Sequence, residues 1–132
     1  MNEEHFLGQL TQKVVLKYKD AFVLVKEEGQ DEWILPGGRL NVDESLEEGL
    51  LREIKEELGV DCTQQKLISV GVSHNIHKTP KVFIFYTASV VPDQEIKTNH
   101  EISDFVLVSK KEELEKYPMY SNQKEVLEKF LD

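Results

Sequence analysis

Short runs of apolar and β-branched residues predict strands in the first third of the chain. Val14-Val15-Leu16 and Phe22-Val23-Leu24-Val25 are two such runs, and Lys19-Asp20 between them is typical of a hairpin turn. Trp33-Ile34-Leu35 then predicts a short extended segment. Pro36-Gly37-Gly38 should end it, because proline and glycine favour backbone shapes that interrupt regular structure.

A four-residue period of apolar side chains predicts a helix from about Ser45 to Leu58. Asp43 or Ser45 can cap its start, and Gly59 is a suitable stop at its C-terminus. The residues that carry the period are Leu46, Leu50, Ile54 and Leu58.

The second half of the chain predicts three more strands and two closing helices. The strands are 67–72, 82–91 and 105–108, and the helices are Lys110 to Tyr117 and Ser121 to Leu131. Strands outnumber helices, so a mixed sheet flanked by helices is the natural way to cover these apolar faces. The residues expected to face inward from the last helix are Val126, Leu127, Phe130 and Leu131.

The length and composition favour one globular domain over residues 1–132. The chain is 39% hydrophobic and 31% charged, and it contains no apolar run of about 20 residues that could span a membrane. Its first residues are acidic, unlike a secretory signal, and the single cysteine, Cys62, has no partner cysteine for a disulfide. We therefore expect a cytoplasmic protein, either a monomer or a homodimer.

The net charge of -9 bears on the kind of partner. Binding a long nucleic-acid backbone requires clustered lysine and arginine, so the charge argues against such a partner. A small anion that carries divalent cations remains compatible, because the cations neutralise both the acidic protein and the ligand.

Three glutamates on the predicted helix form a candidate metal site. Glu53 and Glu57 are one turn apart, and Glu56 lies about 60° to one side of Glu53. Crowding of like charges is unfavourable unless cations are present, and oxygen ligands suit magnesium or manganese. The alternative is a solvated acidic helix face, which is common.

Two neighbours of these glutamates have predicted supporting roles. Gly49 lies at a helical angle between Glu53 and Glu56, so its missing side chain should leave room for a phosphate beside the metals. Arg52 falls on the flank nearer Glu56 and can orient a carboxylate.

The full spacing around this helix resembles the Nudix box. The box reads glycine, five residues, glutamate, seven residues, then Arg-Glu, an aliphatic residue, any residue, Glu-Glu, any residue, glycine and an aliphatic residue. The chain matches it at Gly38, Glu44, Arg52, Glu53, Ile54, Glu56, Glu57, Gly59 and Val60. The resemblance implies a MutT-like Nudix hydrolase of the α/β class, with an α/β/α sandwich around a central mixed β-sheet.

The resemblance also implies roles for the residues of the box. It makes Glu53, Glu56 and Glu57 the ligands of Mg²⁺ or Mn²⁺, with a backbone carbonyl of Gly37 or Gly38 completing the coordination. Glu44 and Arg52 then support the ligand geometry or form a structural ion pair. The general base is either Glu53 or Glu101, which stands in the loop before a late strand. The residues given catalytic roles are therefore Arg52, Glu53, Glu56, Glu57 and Glu101, and those with structural roles are Gly38, Glu44 and Gly59.

The substrate implied by the family is a nucleoside diphosphate linked to a further group X. A loose likeness of the segment 117–122 to MutT-type enzymes makes Asn122 a candidate for base recognition, against a helix-capping role. His74 and His77 are candidates for contact with a substrate phosphate. We favour a nucleoside triphosphate, including an oxidised one, cleaved to the monophosphate and pyrophosphate. The alternatives are ADP-ribose, a nucleotide sugar or a dinucleoside polyphosphate as substrate, processing of an RNA 5′ end, and a catalytically silent nucleotide-binding module.

Overall fold

The computed structural model describes residues 4–74, 79–99 and 101–132. Within these ranges the chain forms seven strands, two α-helices and one 3₁₀ helix. The strands are β1 (Gln9–Tyr18), β2 (Ala21–Glu27), β3 (Trp33–Ile34), β4 (Gly37–Arg39), β5 (Cys62–Ser73), β6 (Lys81–Val90) and β7 (Ile102–Val108). The helices are α1 (Leu46–Leu58), the 3₁₀ helix (Lys111–Lys116) and α2 (Ser121–Glu128).

The strands form a mixed sheet with β1 at its centre. β1 runs parallel to β6 along most of its length, and β5 pairs antiparallel with β6 at the edge. On its other side β1 meets β2 only beside the hairpin turn, at Lys17↔Phe22 and Tyr18↔Ala21. Beyond that point β1 pairs with β4, whereas β2 pairs with β3 and β7. β1 and β2 therefore separate, and the region between them becomes the site.

Helices cover both faces of this sheet. Successive residues of β1 point to opposite faces, so Val14 joins the core under α1 whereas Val15 joins the core under α2. The α1 core contains Leu50, Ile54 and Leu58, the three buried members of the predicted apolar stripe. The result is an α/β/α sandwich, as the sequence predicted.

Local sequence signals explain the turns that frame the sheet and the helix. Lys19 and Asp20 both have positive φ, at 50° and 64°, which fits the two-residue hairpin that their position predicted. Ser45 caps α1 by accepting a hydrogen bond from the Glu48 N–H, and Gly59 ends it with φ 68°. Of the two proposed caps, Ser45 is therefore the one used.

Several local predictions differ from the structure. β1 begins at Gln9 and β7 at Ile102, before the apolar runs that predicted them, and the closing helix ends at Glu128 rather than Leu131. Gly37 and Gly38 do not simply break the chain, because with Arg39 they form β4 against β1. β5 begins at Cys62 rather than Leu67, since its polar first residues pair with β6. The segment after Ser109 is a 3₁₀ helix. Phe130 is 37% exposed and lies beside Phe22 at a ring distance of 6.3 Å instead of filling the core.

None of the helices in the described parts of the chain is both long and apolar enough to cross a membrane.

Candidate active site and metal centre

A large cavity opens where β1 and β2 separate. Its volume is about 1450 Å³, which exceeds the usual range for small-ligand pockets. The α1 helix contributes three carboxylates to its wall, and β4 contributes backbone: Glu53, Glu56, Glu57, Gly37 and Gly38. The box that the sequence singled out therefore lies along one side of one cavity.

The N-terminal turn of α1 is fixed to the sheet by a polar contact. Gln12 on β1 is almost fully buried, and its Nε2 donates to the carbonyl of Leu46 at 2.9 Å. The Tyr86 hydroxyl on β6 donates to Gln12 Oε1 at 2.7 Å. Because a buried amide must keep its hydrogen bonds, this pair sets where the helix begins relative to the sheet.

Gly49 has a different role from the one its helical position suggested. A Cβ at this position would lie 2.5 Å from Leu40 Cδ1 and 3.3 Å from Gln12 Nε2. Gly49 is therefore buried where α1 packs against Leu40, and it does not line the cavity. The prediction that it leaves room for a phosphate was wrong, because its missing side chain faces the packed interior.

Arg52 organises the carboxylates along the outer edge of α1. Its Nε and one terminal nitrogen donate to the two oxygens of Glu44 at 2.5 and 2.9 Å. Its other terminal nitrogen donates to Glu53 Oε1 at 3.0 Å and to Glu56 Oε2 at 3.2 Å. Hydrogen bonds from Arg52 and from the Asn41 N–H lower the pKa of Glu44. Paired forks of this kind hold both groups in one geometry.

Glu57 is held on the inner edge of α1. Its Oε1 accepts a hydrogen bond from the Gly37 N–H at 3.0 Å. Burial raises its pKa to about 8, although the positive charge of Lys13 and the Gly37 hydrogen bond act in the opposite direction. A carboxylate with this pKa lacks enough positive charge around it, and a bound cation would supply that charge.

Gly38 allows β4 to lie directly against Glu53. A Cβ on Gly38 would meet the Glu53 carboxylate, with Cδ at 2.5 Å and the two oxygens at 2.6 and 2.7 Å. The backbone and the carboxylate can approach this closely only because the residue has no side chain.

The donor set fits a hard divalent cation. Carboxylate and backbone oxygens are the ligands that magnesium and manganese prefer. In the described ranges, however, no three Asp, Glu, His or Cys side chains are already gathered around one point. Arg52 instead bridges Glu53 and Glu56. Arg52 uses one oxygen of Glu53 and one of Glu56, so the second oxygen of each carboxylate is the one that would be available to a metal.

The remaining predicted site residues lie around the same cavity where they are described. Glu101, His74 and Asn122 all line it, from the loop before β7, from the end of β5 and from α2. Asn122 Oδ1 accepts a hydrogen bond from the Gln123 N–H at 2.9 Å. His77 lies outside the described residues.

Several lining residues were absent from the sequence prediction. Lys13 is buried, and its Nζ donates to the Leu35 carbonyl at 3.1 Å, whereas Gln123 Oε1 accepts from the Leu35 N–H at 2.8 Å. Burial lowers the pKa of Lys13. Thr11 and Glu27 also line the cavity. The apolar run that predicted the first strand begins at Val14, so the polar residues Thr11, Gln12 and Lys13 directly before it were not assigned to a strand.

Comparison with known proteins finds a matching family model and several relatives of this chain. A family model described as the NUDIX domain matches residues 11–130. An 8-oxo-dGTP diphosphatase of Proteus vulgaris is 46% identical over 43 residues, which are 33% of this chain and 38% of that protein. An 8-oxo-dGDP phosphatase of Homo sapiens is 40% identical over 60 residues, 43% of this chain and 19% of that protein. The chain thus spans less than half the length of either relative.

Among solved structures, the crystal structure of MutT protein from Methanosarcina mazei Go1 is similar over almost its full length. The TM-score is 0.79 at 22% sequence identity, with 97% of this chain and 96% of that chain covered. At this identity the likeness concerns the fold, which the two proteins share.

Proposed function

Because this chain belongs to the Nudix family, we propose that it is a pyrophosphohydrolase that cleaves the diphosphate bond of a nucleoside diphosphate linked to a further group X. The observation that carries the proposal is the alignment of three box glutamates and the glycines of β4 along one cavity. We also propose that residues 1–132 act as a single Nudix domain.

The box glutamates are proposed to hold the metal that the reaction requires. Glu53, Glu56 and Glu57 would bind Mg²⁺, or Mn²⁺ in its place, with a carbonyl of Gly37 or Gly38 as a further ligand. When bound, divalent ions supply the positive charge that a diphosphate and its leaving group need. The raised pKa of Glu57 supports this assignment, because that carboxylate needs additional positive charge near it to be ionised.

The protein's own side chains then have positioning and proton-transfer roles. Arg52, fixed by its fork to Glu44, limits how far Glu53 and Glu56 can move. Proton removal from the attacking water is assigned to a carboxylate, and the two candidates are Glu53 and Glu101. Both line the cavity, and Glu101 is exposed at its rim.

Glutamine substitutions separate these two candidates for the base. If Glu101 is the base, Glu101→Gln lowers kcat at least ~100-fold while the Mg²⁺ concentration for half activity is unchanged. If Glu53 is the base as well as a ligand, Glu53→Gln lowers kcat and weakens Mg²⁺ binding, and Glu101→Gln has little effect. Equal kcat in both variants and wild type would remove both from this role.

The favoured substrate is a nucleoside triphosphate, including an oxidised one, cleaved to the monophosphate and pyrophosphate. Two relatives that match this chain are named for 8-oxo-dGTP and 8-oxo-dGDP. The same cavity of about 1450 Å³ is lined by the box glutamates and by Asn122 and His74. Asn122 is proposed to contact the base and His74 a phosphate.

A substrate panel with both products identified tests the function. Purified protein with Mg²⁺ is incubated with dGTP, 8-oxo-dGTP, 8-oxo-dGDP, ADP-ribose, a nucleotide sugar and a dinucleoside polyphosphate, and the products are resolved by chromatography and mass. Turnover that requires a divalent metal and is lost in Glu56→Gln and Glu57→Gln supports the proposal. The products identify which phosphorus is attacked.

A silent nucleotide-binding module is the second candidate, and one observation favours it. Arg52 pairs with Glu53 and Glu56, so its positive charge partly compensates two ligand candidates without a metal. Nucleotide binding with no turnover across the panel would favour this module. Binding of a 5′-triphosphorylated RNA tighter than that of a mononucleotide would instead favour action on RNA ends.

A further inference from the structure

Thr11 places a buried hydroxyl without a partner in the wall of the cavity. The residue is 5% exposed, and its Oγ1 makes no hydrogen bond within the described parts of the protein. Its position on β1 is one of those that line the cavity. Leaving a buried hydroxyl unpaired is costly, so such a group in a cavity wall indicates that a ligand completes its hydrogen bond.

Lys13 adds donors on the same face of β1. It is two residues from Thr11, and one N–H of its Nζ is used on the Leu35 carbonyl. The other N–H groups of Nζ have no hydrogen-bond partner in residues 4–74, 79–99 and 101–132. Lysine donates and does not accept, so its remaining N–H groups can serve an acceptor on a ligand, in addition to the negative charges of Glu57, Glu27 and Glu53 that already act on it.

Gln123 contributes a third polar group from α2. The residue is 4% exposed, and its Oε1 is used by the Leu35 N–H. Its amide nitrogen is therefore the end left for a ligand, and it too is a donor. Lys13 and Gln123 together hold both backbone polar groups of Leu35, which fixes the two side chains relative to each other.

Aromatic rings lie next to these donors. In the parallel ladder of β1 and β6, Thr11 stands opposite Phe83 and Lys13 opposite Phe85. The two rings are 6.0 Å apart and nearly parallel, at 15°, and both residues line the cavity. Apolar rings beside a few donors suit a planar ring with acceptors on its edge, such as a nucleobase.

We propose that Thr11, Lys13 and Gln123 form a subsite that selects a nucleobase with an exocyclic carbonyl over adenine. The inference rests on the proposed function, because it takes the ligand to be a nucleotide. Guanine, hypoxanthine and the oxidised guanines offer a carbonyl oxygen where adenine has an amino group. An amino group facing lysine and amide donors leaves both sides unpaired, and sites built from buried donors discriminate strongly on this basis.

Inosine and adenosine nucleotides test this selection. They differ in the 6-carbonyl of hypoxanthine against the 6-amino group of adenine, with the accompanying N1 proton. Calorimetry with Mg²⁺ present measures binding of IMP and AMP, and turnover of ITP and ATP gives the ratio of kcat/KM. We expect the wild type to favour the inosine nucleotide at least ~10-fold in both measurements.

Two variants remove the donors, and one serves as their control. Lys13→Met keeps an unbranched side chain of similar length and should bring the preference to within ~3-fold. Thr11→Val is isosteric and should reduce the preference in the same direction. Lys17→Met makes the same change on the exposed end of β1, outside this cavity, and should keep the wild-type preference. Thermal unfolding of each variant checks that it is folded.

Each result of these binding and turnover measurements either supports or overturns the proposed subsite. A preference for IMP that disappears in Lys13→Met and persists in Lys17→Met supports the subsite, even if no nucleotide is hydrolysed, in which case only the proposed function fails. Equal binding of IMP and AMP, binding of neither, or a preference that Lys13→Met and Thr11→Val leave unchanged overturns the subsite, whatever the turnover.

Discussion

The two neighbouring glycines of β4 should respond differently to substitution by alanine. Gly38→Ala should lose activity and keep its stability, whereas Gly37→Ala should lose stability. In Gly38→Ala the new Cβ would lie 2.5 Å from Glu53 Cδ, whereas ordinary contacts begin near 3.4 Å. The carboxylate must therefore move by about 1 Å, and a displacement of that size at a catalytic group costs roughly 100-fold in rate. Because the obstacle is the end of a flexible side chain, the free energy of unfolding should stay within about 1 kcal/mol of wild type.

In Gly37→Ala the new Cβ would clash with backbone atoms, which cannot move aside as a side chain can. The φ of Gly37, 131°, is closed to alanine, and the Cβ would lie 2.0 Å from the backbone carbonyl oxygen of Gln12. Strain at φ and displacement of the strand pair together cost about 2–5 kcal/mol. The melting temperature should fall by roughly 8–20 °C.

The assay for this pair combines thermal unfolding with Mg²⁺-dependent hydrolysis of the best substrate in the panel. Gly38→Ala should unfold like wild type with kcat/KM about 100-fold lower and with a higher Mg²⁺ requirement. If kcat/KM stays within threefold of wild type, Glu53 has no catalytic role that depends on its position. If Gly37→Ala melts at the wild-type temperature, the pairing of β4 with β1 is wrong.

Three further predictions concern the metal, the arginine fork and the 3₁₀ helix. Saturating Mg²⁺ should stabilise the wild type by about 2–3 kcal/mol in thermal unfolding, and Glu57→Gln should lose most of this gain. With Mg²⁺ removed by EDTA, the pKa of Glu57 is about 8 in the folded protein, against an ordinary value of 4.5. The folded state therefore binds this proton more tightly, and the contribution of Glu57 to stability falls as pH rises from 4.5 to 8. A wild type and a Glu57→Gln variant with parallel pH profiles would contradict it. Arg52→Lys replaces a fork by a point charge and should lower kcat/KM roughly 10–100-fold at a stability cost of about 1 kcal/mol; an unchanged rate would leave Arg52 a purely structural role. Glu113 Oε1 accepts from the N–H groups of Ser109 and Lys110, which lowers its pKa, so Glu113→Ala should cost about 1 kcal/mol at neutral pH. The stability that Glu113 contributes is present above its unfolded pKa and is lost as pH falls through its folded pKa. The free energies of unfolding of wild type and Glu113→Ala, measured in denaturant, should therefore converge in acid. A difference that stays constant with pH would contradict a role for the Glu113 hydrogen bonds.

The α1 helix with its glutamates could be predicted from the sequence because its signals are local. The four-residue spacing of Leu50, Ile54 and Leu58, the cap at Ser45 and the stop at Gly59 all act within one or two turns. The same spacing puts Glu53, Glu56 and Glu57 on one edge whatever the helix packs against. The hairpin at Lys19-Asp20 is equally local. These elements, and the family that the box indicates, follow from the amino-acid sequence itself.

Tertiary structure decided the surroundings of that helix. Gly49 faces Leu40 rather than the cavity because α1 is rotated so that its apolar stripe meets the sheet. Lys13 is buried beside Leu35 because β1 continues to Gln9 and pairs with β4 and β6, strands that begin 24 or more residues later along the chain. A side chain's burial and partners depend on such distant pairings, whereas helix periodicity depends only on neighbours. For this reason the acidic half of the cavity can be predicted from the sequence, and its donor-lined half becomes visible only when the chain is folded.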